Sequence, residues 1–223
     1  MRNVRVKICG LTREEDLAVA LAAGADAVGF IVDVPSSPRN LTLERAEMLL
    51  KQVPVFVDSV VVTAPQNIEE LAEICETLKP SAIQIHGKKH FDASEIREMV
   101  RYTRLIKTVY VKADSLNDVS LRDSKSFAAI LLDSFTKNQY GGTGKVHDWT
   151  LSRQIKEAVA PVPVILAGGL NPENVKEAIL TVHPYAVDVA SGVELEPAVK
   201  DHGKIKAFVE NAKKIKLPIS VGE

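Results

Sequence analysis

VILAGGL (residues 164–170) and AVDVASGV (residues 186–193) repeat one pattern, an apolar strand that runs directly into a glycine-rich turn. The N–H groups of such turns, together with the N-terminus of a following helix, can hold a phosphate dianion. In an eight-stranded α/β barrel the usual phosphate site lies after strands seven and eight. The two segments therefore predict a phosphate-binding site before anything else is known about the substrate.

Apolar, strand-like runs alternate with amphipathic helical segments over the whole chain. We expect eight strands, at residues 4–8, 27–31, 55–61, 82–85, 105–111, 129–132, 164–167 and 186–189. The helical patterns cover residues 13–23, 43–51, 67–78, 94–102, 150–159, 172–180 and 204–215. Residues 113–125 are polar and poorly periodic, which indicates an irregular connection.

This alternation predicts parallel strands joined by crossover helices. Eight strands close a barrel, so we favour a single (β/α)8 TIM barrel with a closed parallel sheet and outer helices. An open doubly wound sheet of five or six strands is the alternative. No linker or change of composition marks a second domain, so residues 1–223 are expected to form one catalytic domain. Two helix starts are also predicted: a capping box of Thr12 and Glu15, and an N-cap at Asn171 before Pro172.

The composition excludes several classes of protein. Hydrophobic residues make up 46% of the chain, and the net charge of -1 gives no basic surface for nucleic acid. No apolar run approaches the roughly 20 residues of a membrane span, and the N-terminus does not resemble a signal peptide. Cys9 and Cys75 lie in unlike settings, so we expect neither a disulfide framework nor a zinc site. We therefore expect a cytoplasmic protein that binds neither membrane nor nucleic acid.

The alternation of side chains along each strand predicts which residues point into the barrel. Val4, Val6 and Ile8 share the face that the helices cover, so Lys7 and Cys9 point inward. The same parity turns Asp133, Asp188 and His86 inward. Strands one and eight adjoin in a closed barrel, so Lys7 and Asp188 are predicted to pair, because an unpaired buried charge is costly. We expect them to lie within about 6 Å of each other.

Cys9 and Asp133 are the candidates for proton transfer, because each ends a strand at the face where barrel active sites are built. A lone cysteine is also a common small, buried, hydrophobic residue, and a strand-end aspartate can simply cap a turn. A carboxyl group at a partly desolvated mouth has a raised pKa, which suits a general acid. One thiol and one carboxyl group from strands one and six could thus form a base and acid pair.

Three further features lie at the same predicted face. Arg39 follows a proline-stiffened turn, so it is either a solvated surface charge or a guanidinium that holds a carboxylate. The GGTG run at residues 141–144, which includes Gly142, has the composition of a mobile loop or of a lid that contacts ligand. His86 is assigned a supporting, hydrogen-bonding role.

These residues, in this order, resemble the phosphoribosylanthranilate isomerase family of tryptophan biosynthesis. The matching segments are KICGLT (7–12), GFI (29–31) leading to SPR (37–39), QIHG (84–87), Asp133, GGTG (141–144), HDW (147–149), LAGGL (166–170), DVASGVE (188–194) and KD (200–201). The turn at residues 32–36 is somewhat unusual for the family, and two single positions also depart from its pattern. Ala198 stands where glycine is usual, and Asp58, expected to end strand three, stands where asparagine is more typical. Both affect loop detail more than reaction class.

The resemblance implies an Amadori rearrangement of N-(5-phosphoribosyl)anthranilate to 1-(2-carboxyphenylamino)-1-deoxyribulose 5-phosphate. It implies that Asp133 is the general acid, that Cys9 is the general base, and that Arg39 faces the substrate carboxylate. It further implies a set of phosphate-binding amides: Gly168, Gly169, Ser191 and Gly192. The roles expected for Lys7, His86, Gly142 and Asp188 are supporting ones. We expect no cofactor and no metal, since proton transfers alone move the carbonyl group.

Two other functions remain open at this point. The related isomerase of histidine biosynthesis performs the same rearrangement on a larger substrate with two phosphates, and it would show a carboxylate in place of Cys9. A catalytically silent barrel that binds a sugar phosphate, or that serves as a scaffold, belongs to a different class. The sequence leaves the oligomeric state undecided between monomer and homodimer.

Overall fold

The chain forms a closed barrel of eight parallel strands. The computed structural model describes residues 1–87, 91, 93–100, 102–112, 115–117, 121, 123–134 and 147–218. The barrel strands are β1 Arg5–Ile8, β2 Ala27–Val32, β3 Asp58–Thr63, β4 Ala82–Ile85, β5 Arg104–Val111, β6 Ala129–Ser134, β7 Val164–Leu166 and β8 Ala186–Val189. Each strand pairs with its neighbours in the chain, and β1 pairs with both β2 and β8. The predicted TIM barrel is confirmed, and the open sheet is excluded by the β1–β8 pairing.

Helices cover the outside of the barrel. They are α1 Glu14–Ala22, α2 Leu43–Leu50, α3 Ile68–Leu78, α4 Ala93–Met99, α5 Trp149–Ala158, α6 Val175–Val182 and α7 His202–Lys213. Their apolar faces pack on the outward-facing residues of the strands, such as Phe30, Ile83 and Val187, which are fully buried. Among the residues that the structure describes, no helix has the length and apolar character needed to span a membrane.

Inward-facing side chains form layers of four, drawn alternately from even-numbered and odd-numbered strands. The register places an all-alanine even layer nearest the N-terminal ends of the strands: Ala27, Ala82, Ala129 and Ala186. The next even layers are Gly29, Gln84, Leu131 and Asp188, and then Ile31, His86, Asp133 and Ala190. The odd layers between them are Lys7, Val60, Ile106 and Ile165, and then Cys9, Val62, Thr108 and Ala167. The polar interior is therefore concentrated toward the carboxyl ends of the strands.

The third strand begins later than the apolar pattern predicts. The predicted start at residue 55 is wrong, because the chain turns at residues 54–57 before β3 begins at Asp58. Val57 N donates to Pro54 O, and Phe56 lies in the turn at φ 73° with its side chain fully exposed. Asp58 thus opens the strand instead of ending it, and its carboxylate pairs with Arg104.

The two predicted helix starts also differ from the observed ones. The capping box is wrong: Arg13 is the N-cap of α1 without a side-chain bond, and Thr12 Oγ1 donates instead to Ala198 O. Asn171 Oδ1 does accept from the N–H groups of Glu173 and Asn174, but it closes a separate turn. Helix α6 begins only at Val175. For the 113–125 connection, the expected irregularity is confirmed over the described residues, which form 3-10 turns at Ser115–Asn117 and Ser124–Ser126.

Ala198 turns the short antiparallel hairpin of Glu194–Glu196 and Val199–Lys200 at φ 70°. A left-handed conformation costs an L-residue about 1–2 kcal/mol, whereas glycine adds about 0.4–1 kcal/mol of unfolded-state entropy. Ala198→Gly is therefore expected to raise the free energy of unfolding by about 0.5–1 kcal/mol. Urea denaturation measures the change. Ala207→Gly, inside α7, is the matched control and should lower stability by about the same amount. A loss of stability in both variants would contradict the backbone strain assigned to Ala198.

Candidate active site

An open cavity of about 770 Å³ lies at the carboxyl ends of the barrel strands. Its lining residues come from β2, β3, β4, β6 and β8 and from the segments that follow β1, β2, β3, β4, β7 and β8. Most of the residues singled out from the sequence line it: Cys9, Arg39, His86, Asp133, Gly168, Gly169, Asp188, Ser191 and Gly192. The structure therefore brings together in one cavity residues that lie up to 183 positions apart in the chain.

Cys9 follows β1 directly, and its N–H donates to Val189 O of β8. The side chain is buried, and Gly29 on β2 makes room for it. A Cβ at Gly29 would lie 2.8 Å from Cys9 Sγ and 3.0 Å from Lys7 Cε. Burial raises the pKa of the Cys9 thiol, and the neighbouring Lys7 ammonium opposes that rise. Burial thus favours the neutral thiol of Cys9, whereas the neighbouring cation favours the thiolate.

Lys7 is the centre of a buried polar network below the cavity. Its Nζ donates to Asp188 Oδ1 at 3.1 Å and to Gln84 Oε1 at 2.9 Å. The predicted pairing of Lys7 with Asp188 is confirmed. Burial by itself would lower the pKa of Lys7, but Asp188 and Cys9 outweigh it, and the pKa is raised. Lys7 therefore stays charged inside the barrel.

The network continues from Gln84 to the far side of the cavity. Gln84 Nε2 lies 2.5 Å from His86 Nε2, and His86 Nδ1 lies 3.1 Å from Tyr110 Oη. Because the amide nitrogen can only donate, His86 Nε2 accepts and His86 Nδ1 carries the proton. Burial and the Lys7 charge lower the pKa of His86 to about 3, in agreement with a neutral ring. His86 thus has the supporting position that the strand parity predicts.

Asp133 lies near the end of β6, with its carboxyl group facing the cavity. The N–H of Ser134 donates to Asp133 Oδ1 at 2.7 Å. Burial raises the pKa of Asp133 to about 6, which brings its protonated form into the working range of a general acid. Gly168 must be glycine here, because a Cβ would lie 2.9 Å from Asp133 Oδ1 and would overlap Ser134.

The end of the connection from β6 to α5 is held against the same strand. Ser134 Oγ lies 3.1 Å from His147 Nδ1, and His147 Nε2 lies 2.6 Å from Ser152 Oγ on α5. Burial lowers the pKa of His147 to about 4, so the ring is neutral and bridges the two hydroxyl groups. Gly142, with the rest of the GGTG run, lies outside the described residues.

The two glycine-rich turns meet at the opposite wall. Gly168 and Gly169 have φ values of 77° and 69°, and a Cβ at Gly192 would overlap Leu170 O. Glycine is thus required both for the turn after β7 and for its contact with the turn after β8. Within the described residues, the N–H groups of Gly168, Gly169, Ser191 and Gly192 donate to no other group. They are available to an anion in the cavity.

Arg39 reaches the cavity from the loop after β2. Gly10 allows it to cross the chain, since a Cβ there would lie 2.5 Å from Arg39 Cδ. Arg39 Nε and Nη2 donate to the two carboxylate oxygens of Glu194 at 2.7 and 2.6 Å. Lys200 Nζ donates to Glu194 Oε1 at 2.8 Å and to Ala190 O at 3.0 Å. The guanidinium is therefore held by a buried carboxylate and is not free to rotate.

Proteins of known activity resemble this chain in both sequence and fold. The family model described as "N-(5'phosphoribosyl)anthranilate (PRA) isomerase" matches residues 6–211. The chain belongs to this family. The N-(5'-phosphoribosyl)anthranilate isomerase of Haloferax volcanii is 45% identical over 94% of this chain and 93% of that protein. The isomerase of Methanocella arvoryzae is 42% identical over 94% of this chain and 98% of that protein.

Solved structures of phosphoribosylanthranilate isomerases share the fold of this family member. The enzyme of Thermotoga maritima superposes with a TM-score of 0.84 at 39% identity, over 95% of this chain and all of that one. A structure described as a complex with reduced 1-(o-carboxyphenylamino)-1-deoxyribulose 5-phosphate has a TM-score of 0.80 at 37% identity, with the same coverage. The chain is thus an isomerase, in agreement with the resemblance in its motifs.

Two charged residues of this isomerase have no role that the sequence patterns predict. Glu194 and Lys200 lie in quoted motifs, yet only the structure brings them to Arg39. The sequence does contain one indication of this contact: two charged residues flank a hairpin directly after a glycine-rich turn. Gln84 and Gly29 are uncharged residues that also had no predicted role. Gln84 contacts Lys7 and Gly29 contacts Cys9, and both contacts follow from the layers of the closed barrel.

Proposed function

We propose that this chain catalyses the Amadori rearrangement of N-(5'-phosphoribosyl)anthranilate to 1-(2-carboxyphenylamino)-1-deoxyribulose 5-phosphate, a step of tryptophan biosynthesis. One observation carries the proposal: a thiol and a protonatable carboxyl group line the same cavity as two glycine-rich turns with available N–H groups. The substrate offers a matching set of groups, with a phosphate at one end and a ribose whose C2 and ring oxygen exchange protons.

Asp133 acts as the general acid in this proposal. It gives its proton to the ring oxygen of the ribose, the C1–O bond breaks, and the ring opens to a protonated Schiff base. A carboxyl group whose pKa is about 6 holds a proton much more readily near neutral pH than an ordinary aspartate does. Desolvation by the bound substrate raises that pKa further, which favours the acid form.

Cys9 acts as the general base. Its thiolate removes the proton from C2 of the opened ribose, and the electrons of the C–H bond move toward the iminium nitrogen to give an enolamine. The enolamine then tautomerises to the ketone. Lys7 supports this step, because its ammonium group favours the thiolate over the neutral thiol. As Asp133 gives up its proton and Cys9 gains one, the protein carries the same net charge before and after.

The ends of the substrate are held by groups that take no part in proton transfer. The N–H groups of Gly168, Gly169, Ser191 and Gly192 bind the phosphate in this proposal, and Arg39 faces the anthranilate carboxylate. When both ends of the substrate are held, C2 lies at Cys9 and the ring oxygen lies at Asp133. This positioning of the reacting atoms contributes to the rate. His86 and Asp188 hold Lys7 in place through the polar network, and Gly142 is proposed to have a supporting role.

Turnover of Cys9→Ser tests the proposal most simply, with loss of the fluorescence of the anthranilate-ribosyl group as the signal. Wild type should consume the substrate, and Cys9→Ser should lose about 10²–10⁴-fold in kcat, since a serine hydroxyl is a far weaker base. Cys75→Ser, in α3 and away from the cavity, is the matched control and should keep turnover within about twofold.

A wild-type protein that fails to consume the substrate would refute the proposed activity and favour a silent, phosphate-binding barrel. A Cys9→Ser variant as active as Cys75→Ser would remove the base assignment while leaving the activity in place. The same proposal takes residues 1–223 as one catalytic domain that works in the cytoplasm on a phosphorylated small molecule. A reducing compartment suits it, because Cys9 and Cys75 are both free thiols.

A further inference from the structure

The guanidinium of Arg39 presents one occupied edge and one open edge. Nε and Nη2 form a side-on, bidentate pair with Glu194, and the pair is almost fully buried. Nη1 donates no hydrogen bond to any other group in the part of the chain that the structure describes, although Arg39 lines the cavity. The edge formed by Nη1 and Nη2 therefore remains for a second planar anion.

Glu194 is itself held from two sides. It is the first residue after the turn Ser191–Val193, and its hairpin partner is Lys200. The Lys200 ammonium has a fully buried side chain and donates to the same carboxylate oxygen that accepts from Arg39 Nε. Burial would raise the pKa of Glu194, but Arg39 and Lys200 outweigh it and lower the pKa. Glu194 is thus ionised and fixed.

Resting on the proposed function, we propose that Glu194 is a positioning residue that aims Arg39 at the carboxylate of the substrate. Glu194 occupies the edge formed by Nε and Nη2, so that the edge formed by Nη1 and Nη2 is left for the cavity. The carboxylate binds there, and Lys200 keeps Glu194 in place. Ser191, Gly192, Val193 and Glu194 follow one another in the chain. This short segment therefore contains both the turn proposed to bind phosphate and the carboxylate that holds Arg39. The spacing between the two anion sites is then set by the chain itself.

This role predicts an effect that depends on the carboxylate of the ligand. In Glu194→Gln, the amide accepts at most one of the two bonds from Arg39, and the long side chain regains its freedom to rotate. KM for the substrate should rise about 10–100-fold, while kcat changes less than about threefold. An exposed carboxylate of the same hairpin provides the matched control, Glu196→Gln, which should leave both constants unchanged.

The sharper experiment compares two ligands by calorimetry. The first is reduced 1-(2-carboxyphenylamino)-1-deoxyribulose 5-phosphate, and the second is the same compound without its carboxyl group. Wild type should bind the first at least 10-fold more tightly, and Glu194→Gln should bind the two with similar Kd. In an Arg39→Ala background, Glu194→Gln should have no further effect on the first ligand, because Glu194 acts through Arg39.

Glu194→Gln leaves two buried cations facing each other, which can impair folding. The double variant Glu194→Gln/Lys200→Gln restores the net charge of the cluster and should show the same loss of discrimination. If both ligands bind the variants more weakly by the same factor, Glu194 has a structural role and the inference is overturned. Folded variants that still bind the carboxylated ligand more tightly by the wild-type factor would also overturn it. Wild type that binds both ligands equally would refute the Arg39 role on which the inference depends. Wild type that binds neither would refute the proposed function itself.

Discussion

Asp133→Asn is expected to reduce turnover severely and at the same time to stabilise the fold. Asparagine cannot give a proton to the ring oxygen, so kcat should fall by about 10²–10⁴-fold. The amide oxygen can still accept from the N–H of Ser134, so the local structure is kept. A loss of activity without a loss of structure is the mark of a group that is present for chemistry.

The gain in stability follows from the raised pKa. A pKa of about 6 in place of the ordinary 3.8 corresponds to about 3 kcal/mol of unfavourable free energy for the ionised, buried carboxylate. Since the folded-state pKa lies above the unfolded value, the wild-type fold loses stability as the pH rises through about 6. Asp133→Asn should therefore be more stable than wild type at pH 8 by up to about 3 kcal/mol, and by little at pH 4.

Thermal or urea unfolding at the two pH values checks this prediction, with turnover measured on the same preparations. Asp148→Asn is a suitable control, because Asp148 is exposed and caps α5. It should lower stability slightly and should not alter turnover. An Asp133→Asn variant that keeps full activity would rule out Asp133 as the acid. A variant that is less stable than wild type at pH 8 would contradict the cost assigned to the buried carboxylate.

Lys7→Met is expected to be the most destabilising of the substitutions considered. It removes the cation from Asp188, whose carboxylate then lies inside the barrel without its ion-pair partner. Breaking a buried pair in this way costs about 3–5 kcal/mol. Replacing both partners, as in Lys7→Met/Asp188→Asn, removes the unpaired charge and should recover most of the loss. Urea denaturation at pH 8 measures both variants.

Activity separates the two roles of Lys7. Lys7 opposes the effect of burial on the Cys9 thiol, so kcat/KM should remain low in the double variant although its stability recovers. Recovery of activity together with stability would show that Lys7 serves only the fold. A loss of less than about 1 kcal/mol in Lys7→Met would contradict the importance of the buried pair itself.

The parts of the structure that the sequence predicted are those with a strict local period. Side chains alternate along a strand, so the inward position of Lys7, Cys9, Asp133 and Asp188 follows once the strands are located. The pairing of Lys7 with Asp188 then requires only that β1 and β8 adjoin. For the same reason, the closed barrel followed from the count of strands.

The errors lie where contacts between distant loops decide the local structure. Thr12 has the sequence of a helix cap, but its hydroxyl group donates to Ala198 O, 186 residues away. Val55 and Phe56 are apolar, yet they lie exposed in a turn. The pairing of Arg39 with Glu194 joins loops 155 residues apart, and no periodic pattern marks such a contact.

A crystal structure of the wild-type protein with reduced 1-(2-carboxyphenylamino)-1-deoxyribulose 5-phosphate tests the account most directly. Cys9 Sγ should lie within about 3.5 Å of C2 of the sugar, with Asp133 within hydrogen-bond distance of the oxygen on C4. The phosphate should accept from the N–H groups of the two glycine-rich turns. A sugar whose C2 faces away from Cys9, or a phosphate bound elsewhere, would contradict it.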